Sequence, residues 1–357
     1  MKLTVITACC FILVTAGIFS CHQQQKGVTP VTTITQGHMP NIAVDKAGNL
    51  HLVFGSGDSI LYKSSVDGGR TFLATSVVAV LPGLYSFAMR GPQIACGANG
   101  AIITACDKSG NIYSFLKSAD NNWVKTARVN DADTVAKEGL MALGNDGDIT
   151  FAAWLDLRGN SRNKIMGAVS RNGGKTWSAN ILVYASPDST VCECCKPSVV
   201  VKANNVYVMF RNLLHGNRNL YMATGAGNNG HLRFNHAEKI GTGDWQLNGC
   251  PMDGGGLTVN AGNQPQTVWR RHDTIFACAP GKMEVAVGEG NSCSIETADN
   301  KNILAWNENG DVVCLLPNGT KQHLGKGLHP VLKAVDDNNI ICLWENDRQI
   351  QMVLIGI

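Results

Sequence analysis

Residues 139–154, GLMALGNDGDITFAAW, decide the fold. A short apolar run is followed by a turn rich in Asn, Asp and Gly, and then by a second apolar run that ends in tryptophan. Asn and Gly supply the positive φ of a tight hairpin turn, and alternating apolar residues cover one sheet face. The unit recurs as NIAVDKAGNLHLVF from Asn41, PQIACGANGAIITAC from Pro92 and PSVVVKANNVYVMF from Pro197. Three more copies are GLTVNAGNQPQTVW from Gly256, CSIETADNKNILAW from Cys293 and PVLKAVDDNNIICLW from Pro330. Repeats of this kind predict an all-β chain folded as a seven-bladed β-propeller, one four-stranded blade per repeat. A six-bladed ring, with the last two short repeats merged, is the alternative. The final repeat runs out after three strands at QIQMVLIGI. The segment VTPVTTITQ near the N-terminus is therefore expected to supply its fourth strand and close the ring, which removes exposed sheet edges.

With 39 glycines in 357 residues, the chain has the turns such a fold needs. Charged residues make up 16 % and the formal net charge is +3, so the basic stripe that phosphate neutralisation requires is missing and nucleic acid is not an expected partner. Lys2 and the apolar run LTVITACCFILVTAGIFS predict a secretory signal over residues 1–20. The ending IFSC is similar to a bacterial lipobox, which makes Cys21 the expected lipidation site. Residues 21–28 then form a tether, and 29–357 the propeller. The expected location is the bacterial outer membrane or periplasm, with a lipid anchor to the membrane and a monomeric chain. Of the 13 cysteines, those beyond Cys9, Cys10 and Cys21 enter an oxidising compartment, where a well-placed pair defaults to a disulfide.

Residues 65–72, SVDGGRTF, follow the pattern S-x-D-x-G-x-T-aromatic through Ser65, Asp67, Gly69 and Thr71. Residues 170–177, SRNGGKTW, repeat it through Ser170, Asn172, Gly174, Thr176 and Trp177, with Asn in place of Asp. The side-chain oxygen bonds turn amides, the glycines take positive φ and the aromatic packs between sheets. This is the Asp-box, a structural motif. Two of them in a propeller resemble the sialidase superfamily (BNR-repeat, exo-α-sialidase-like proteins), and the segments VCECCKPS and CPMDGGGL resemble a bacterial group of such exported proteins. The resemblance covers about residues 41–357 and implies a glycoside hydrolase or glycan-processing protein at the cell envelope, with a glycan or glycoconjugate as its partner.

In propellers the residues just before each innermost strand ring the axis on one face. Here they are His38 and Met39, Arg90, Glu138, Cys194 and Cys195, Cys250 with Met252 and Asp253, Cys293, and His329. Cys192, Cys194 and Cys195 thus neighbour Cys250, and three readings stay open. One is a disulfide between Cys250 and one of the other three. The second is a soft-metal site for copper or zinc, with help from Met39, Met252, His38 or His329. The third is a redox-active thiol pair, for which no helix N-terminus is at hand to lower a thiol pKa.

The sialidase resemblance implies an arginine cluster for a carboxylate, an acid/base and a tyrosine nucleophile. MRGPQIA is similar to the element that supplies the first arginine, at Arg90. Arg211 and one of Arg270 and Arg271, preferably Arg271, are the other substrate-binding candidates. Glu138, Asp156 and Asp253 join Arg90 as catalytic candidates. No tyrosine follows Tyr221, so the usual late nucleophile is missing. The alternative is a non-catalytic protein that binds glycan, protein or a soft metal through the rim.

Overall fold

The computed structural model describes residues 27–357 except 99, 119, 121, 189 and 228–231. The expected signal, Cys21 and most of the tether lie outside the described residues. All the regular structure described is β, in seven antiparallel sheets. Blades one to six span residues 38–80, 93–128, 141–184, 198–239, 256–289 and 291–326. Blade seven is Leu328–Ala334, Asn339–Asn346 and Gln349–Gly356, completed on its outer edge by Gly27–Val28 and Thr32–Gln36. The register runs Gly27↔Gly356 and Thr32↔Met352, so the N-terminal segment closes the ring as the threonine- and valine-rich run predicts. The sheet already includes residues 27 and 28, at the end of the expected tether. Residues 291–326 and 328–356 form separate sheets, which excludes the six-bladed count.

The first strands of the blades, beginning at His38, Gln93, Met141, Ser198, Gly256, Asn291 and Leu328, contact one another in a closed ring around the axis. The opening segment shows how the sequence builds one such unit. Met141 pairs with Trp154 and Asp146 with Ile149, across a turn in which Gly147 takes φ +55°. Six of the second strands carry a buried aromatic in their later half: Phe54, Trp154, Phe210, Trp269, Trp306 and Trp344. Burial of each large apolar side chain contributes roughly 2–3 kcal/mol.

The two S-x-[DN]-x-G-x-T segments close outer hairpins by matching hydrogen bonds. The Ser65 hydroxyl donates to Asp67 Oδ1 at 2.7 Å and accepts from Gly69 N at 2.9 Å, while Asp67 accepts from the Thr71 amide and hydroxyl at 2.9 and 2.6 Å. Asn172 repeats this, accepting from Thr176 N at 3.0 Å and donating from Nδ2 to Thr176 Oγ1 at 2.8 Å. The Thr71 and Ser65 bonds pull the Asp67 carboxyl down to about 2. Because the folded pKa lies below the ordinary value of 3.8, this contribution to stability is complete above that value and disappears as the pH falls toward about 2. Asp67→Asn should unfold between wild type and Asp67→Ala in urea at pH 7, since Asn172 shows that the amide fits the turn but carries no charge. Asp67→Ala should unfold earlier. The gap between wild type and Asp67→Ala should close as the pH falls toward 2, and a gap that persists there would remove the carboxylate from the explanation.

Candidate functional site

The first strands enclose an axial cavity of about 570 Å³. The chain turns into several of them through left-handed, non-glycine residues: Met39 at φ 51°, Met89 at 68°, Ser292 at 55° and His329 at 56°. Such backbone is uncommon outside glycine and is held here by the surrounding ring.

Three lysines line the cavity: Lys202, exposed at the end of the strand Ser198–Lys202, and Lys333 and Lys196 deeper in, which differ in charge balance. Lys333 Nζ pairs with Glu296 at 3.0 Å. Lys196 Nζ donates to Gln93 Oε1 at 2.9 Å, and among the described residues it has no carboxylate within ion-pair distance. The Gln93 amide is fixed by its own donations to the Gly91 and Pro92 carbonyls, so its oxygen is committed to Lys196. Burial lowers the Lys196 pKa to about 8. His329 also faces the cavity, and its buried Nδ1 has no hydrogen-bond partner. Burial lowers its pKa, helped by the Lys196 charge and opposed by Glu345. Sequence reasoning passed over Lys196, although it precedes a first strand just as Arg90 does.

Of the hydrolase candidates only Asp253 lines the cavity, although Arg90 lies beside Glu138 and Arg211 beside the Asp253 carbonyl. Asp253 lines the cavity, but it is fully buried and its two oxygens accept from Gly255 N at 3.1 Å and Ser292 N at 2.9 Å. It caps a turn whose Gly254 lies so close to the Lys196 carbonyl that a Cβ would sit 1.8 Å from that oxygen. Arg90 donates from Nε to Glu138 O at 2.6 Å and from Nη1 to Ala88 O at 3.1 Å, with the Glu138 carboxylate 3.9 Å away. Asp156 is buried and holds Arg158 at 2.9 Å and the Trp154 indole at 2.8 Å. Arg211 spends its guanidinium on three backbone carbonyls. Arg271 pairs with Glu284 and lies over the Phe276 ring, while Arg270 binds Asp273. None of the six tyrosines lines the cavity. Tyr85, beside Arg90 and Glu138, donates to Lys137 O at 2.6 Å, and burial raises its pKa, which keeps the phenol protonated.

The cysteines do converge. Cys194 and Cys250 form a disulfide with Cα atoms 6.2 Å apart, linking the entrances of blades four and five. Cys192 and Cys195 remain thiols, and the sulfurs of Cys192, Cys194 and Cys195 lie within 4.8 Å of one another. Among the described residues no histidine joins them. His38 is held by Glu345 at 2.7 Å, on the blade-seven side of the ring, and Met252 is exposed. The four-sulfur set expected for copper or zinc is thus reduced to two free thiols while the disulfide stands.

No protein-family model matches the chain, and no curated protein matches it. Among solved structures it is similar to virginiamycin B lyase from Staphylococcus aureus, with TM-score 0.54, 12% identity and 92% of this chain covering 99% of that one. It is also similar to a GH93 α-L-arabinofuranosidase from Fusarium graminearum, with TM-score 0.53, 11% identity and 93% of this chain covering 96% of the other. NanB sialidase from Streptococcus pneumoniae aligns at TM-score 0.48 and 11% identity, over 92% of this chain and 71% of that one. The likeness is one of fold. A glycoside hydrolase is among the propellers that share it.

Proposed function

We infer that the chain is a binding propeller of the cell envelope that holds the anionic group of an acidic glycan in its axial cavity and does not cleave it. The observation that carries this reading is the half-buried Lys196 ammonium, which faces the cavity without a counter-ion among the described residues. Taking a cation out of water is costly unless it is paired, so an anionic ligand has an electrostatic reason to bind there. The cavity volume suits a small-molecule site, and His329 Nδ1 offers a second polar group. The glycan part rests on fold kinship, since the Fusarium enzyme was determined in complex with arabinobiose. Export and lipid anchoring belong to the same proposal and rest on the N-terminal sequence.

Calorimetry with N-acetylneuraminic acid, glucuronic acid and neutral arabinose tests it. The acidic sugars should bind at pH 7. Lys196→Met should weaken them about 10- to 100-fold, the range of a lost hydrogen bond to a charged group. Affinity should also fall as the pH rises through about 8, where Lys196 loses its proton. Equal binding of neutral sugars, or release of a free sugar from an acidic glycoside, would overturn the reading.

A further inference from the structure

The sulfur cluster has an arrangement that a staple alone does not need. Cys192 and Cys195 stand in C-x-x-C spacing inside the tripled motif, with Cys195 N donating to Cys192 O at 3.4 Å in a tight turn. Both thiols are buried, whereas Cys250, one half of the neighbouring disulfide, is exposed. Cys192 Sγ lies 3.7 Å from Cys194 Sγ, the other half. A dithiol store is therefore sealed from solvent and touches a disulfide whose far sulfur opens onto it.

We propose that these four cysteines form a thiol–disulfide relay, in which the buried Cys192/Cys195 dithiol reduces a partner disulfide through the exposed Cys250. The Cys192 thiolate attacks Cys194 Sγ, the Cys194–Cys250 bond breaks, and Cys250 leaves as a thiolate. Cys250 attacks one sulfur of the partner disulfide and displaces the first partner thiolate. Cys195 then attacks Cys192 Sγ and releases Cys194, and Cys194 attacks Cys250 Sγ and displaces the second partner thiolate. The Cys194–Cys250 bond is restored, Cys192 and Cys195 end as a disulfide, and two electrons and two protons have passed to the partner. Direct transfer is blocked because neither sulfur of the dithiol reaches the surface.

The electrostatics favour the first step. Burial opposes ionisation of Cys192, but hydrogen bonds from Cys195 and the Cys194 amide, with the charges of Arg211 and Arg218, outweigh it and lower its pKa. Arg218 Nη1 lies 3.3 Å from Cys192 Sγ, and Glu193 at 3.3 Å holds the guanidinium from the solvent side. Burial and the Cys192 sulfur push Cys195 well above the ordinary thiol value, which makes it the member that holds the proton. The neighbouring thiol and turn amide, with the two arginines behind them, thus do the work that helix dipoles do elsewhere.

The test uses oxidised glutathione on the exported chain, with isotope-coded alkylation and peptide mapping before and after. Before exposure, Cys192 and Cys195 should be free and Cys194 joined to Cys250. Afterwards Cys192 should be joined to Cys195, with two glutathione thiols released per chain. Cys250→Ser removes the port and Cys192→Ser removes the attacking thiol while keeping the staple, so each should slow the reaction about tenfold or more. Arg218→Gln should shift its pH midpoint upward. A wild-type rate in Cys250→Ser, Cys192 and Cys195 still free after exposure, or a chain isolated with four thiolates on stoichiometric copper or zinc would each overturn the relay.

Discussion

Arg211→Ala should unfold at a markedly lower urea concentration than wild type, with a stability loss of roughly 3–5 kcal/mol. The side chain is 1% exposed, within the second strand of blade four, Asn205–Leu214. Its Nε donates to Asp253 O at 2.9 Å, Nη1 to Arg218 O at 2.8 Å and Nη2 to Arg270 O at 2.9 Å. The guanidinium also lies over the Trp245 ring, 5.1 Å from its centroid. One planar fork thus ties blade four to the turn before blade five and to the second strand of that blade. Truncation leaves three buried carbonyls without a donor, each costing about 1–3 kcal/mol before the structure relaxes. Arg211→Lys should recover less than half of the loss, because a point ammonium cannot address three separated carbonyls in one plane. If Arg211→Ala instead keeps the wild-type midpoint and loses only ligand affinity, Arg211 returns to the substrate-clamp role that the sialidase resemblance implied.

The second large effect belongs to the disulfide. Cys194 and Cys250 are separated by 56 residues, and closing a loop of that length removes about 4 kcal/mol of unfolded-state entropy in the chain-entropy account. Cys250→Ser should therefore lower stability by about that amount, and wild type in strong reductant should fall to meet it. The two curves should separate again once the reductant is removed. Coincidence of wild type and variant under oxidising conditions would mean that the staple does not form.

These two effects mark what could be read in advance. The blades were legible because most repeats satisfy local rules: period-two apolar alternation, a turn with positive φ and a large aromatic late in the second strand. The closing N-terminal strand was legible for a related reason, since the last repeat lacks an outer strand and VTPVTTITQ is a strand-forming run without a partner. The place of the cysteines was legible too, because any residue just before a first strand falls on the rim. The C-x-x-C spacing of Cys192 and Cys195 was present in the letters, but nothing local distinguished it from the overlapping C-x-C and C-C pairs.

The sequence by itself determined the seven-bladed ring, because each blade depends on hydrogen bonding between strands adjacent in the chain; its closure, because the last repeat lacks a strand; and part of the axial lining, Met39, Asp253, Cys293 and His329. The tertiary structure alone decided which charges are spent and which are free. Arg90, Arg211 and Asp156 stood in the chain as plausible catalytic or binding groups, yet each is consumed by partners from distant segments or adjoining turns. Lys196 drew no notice in CCKPS, yet it is a partly buried cation of the cavity without a counter-ion among the described residues, because its environment is assembled from the first strands of other blades. Likewise Cys194, rather than Cys192 or Cys195, bonds Cys250. That choice turns on the direction in which each side chain leaves one tight turn, and on the approach of a loop 56 residues away, which local sequence does not encode.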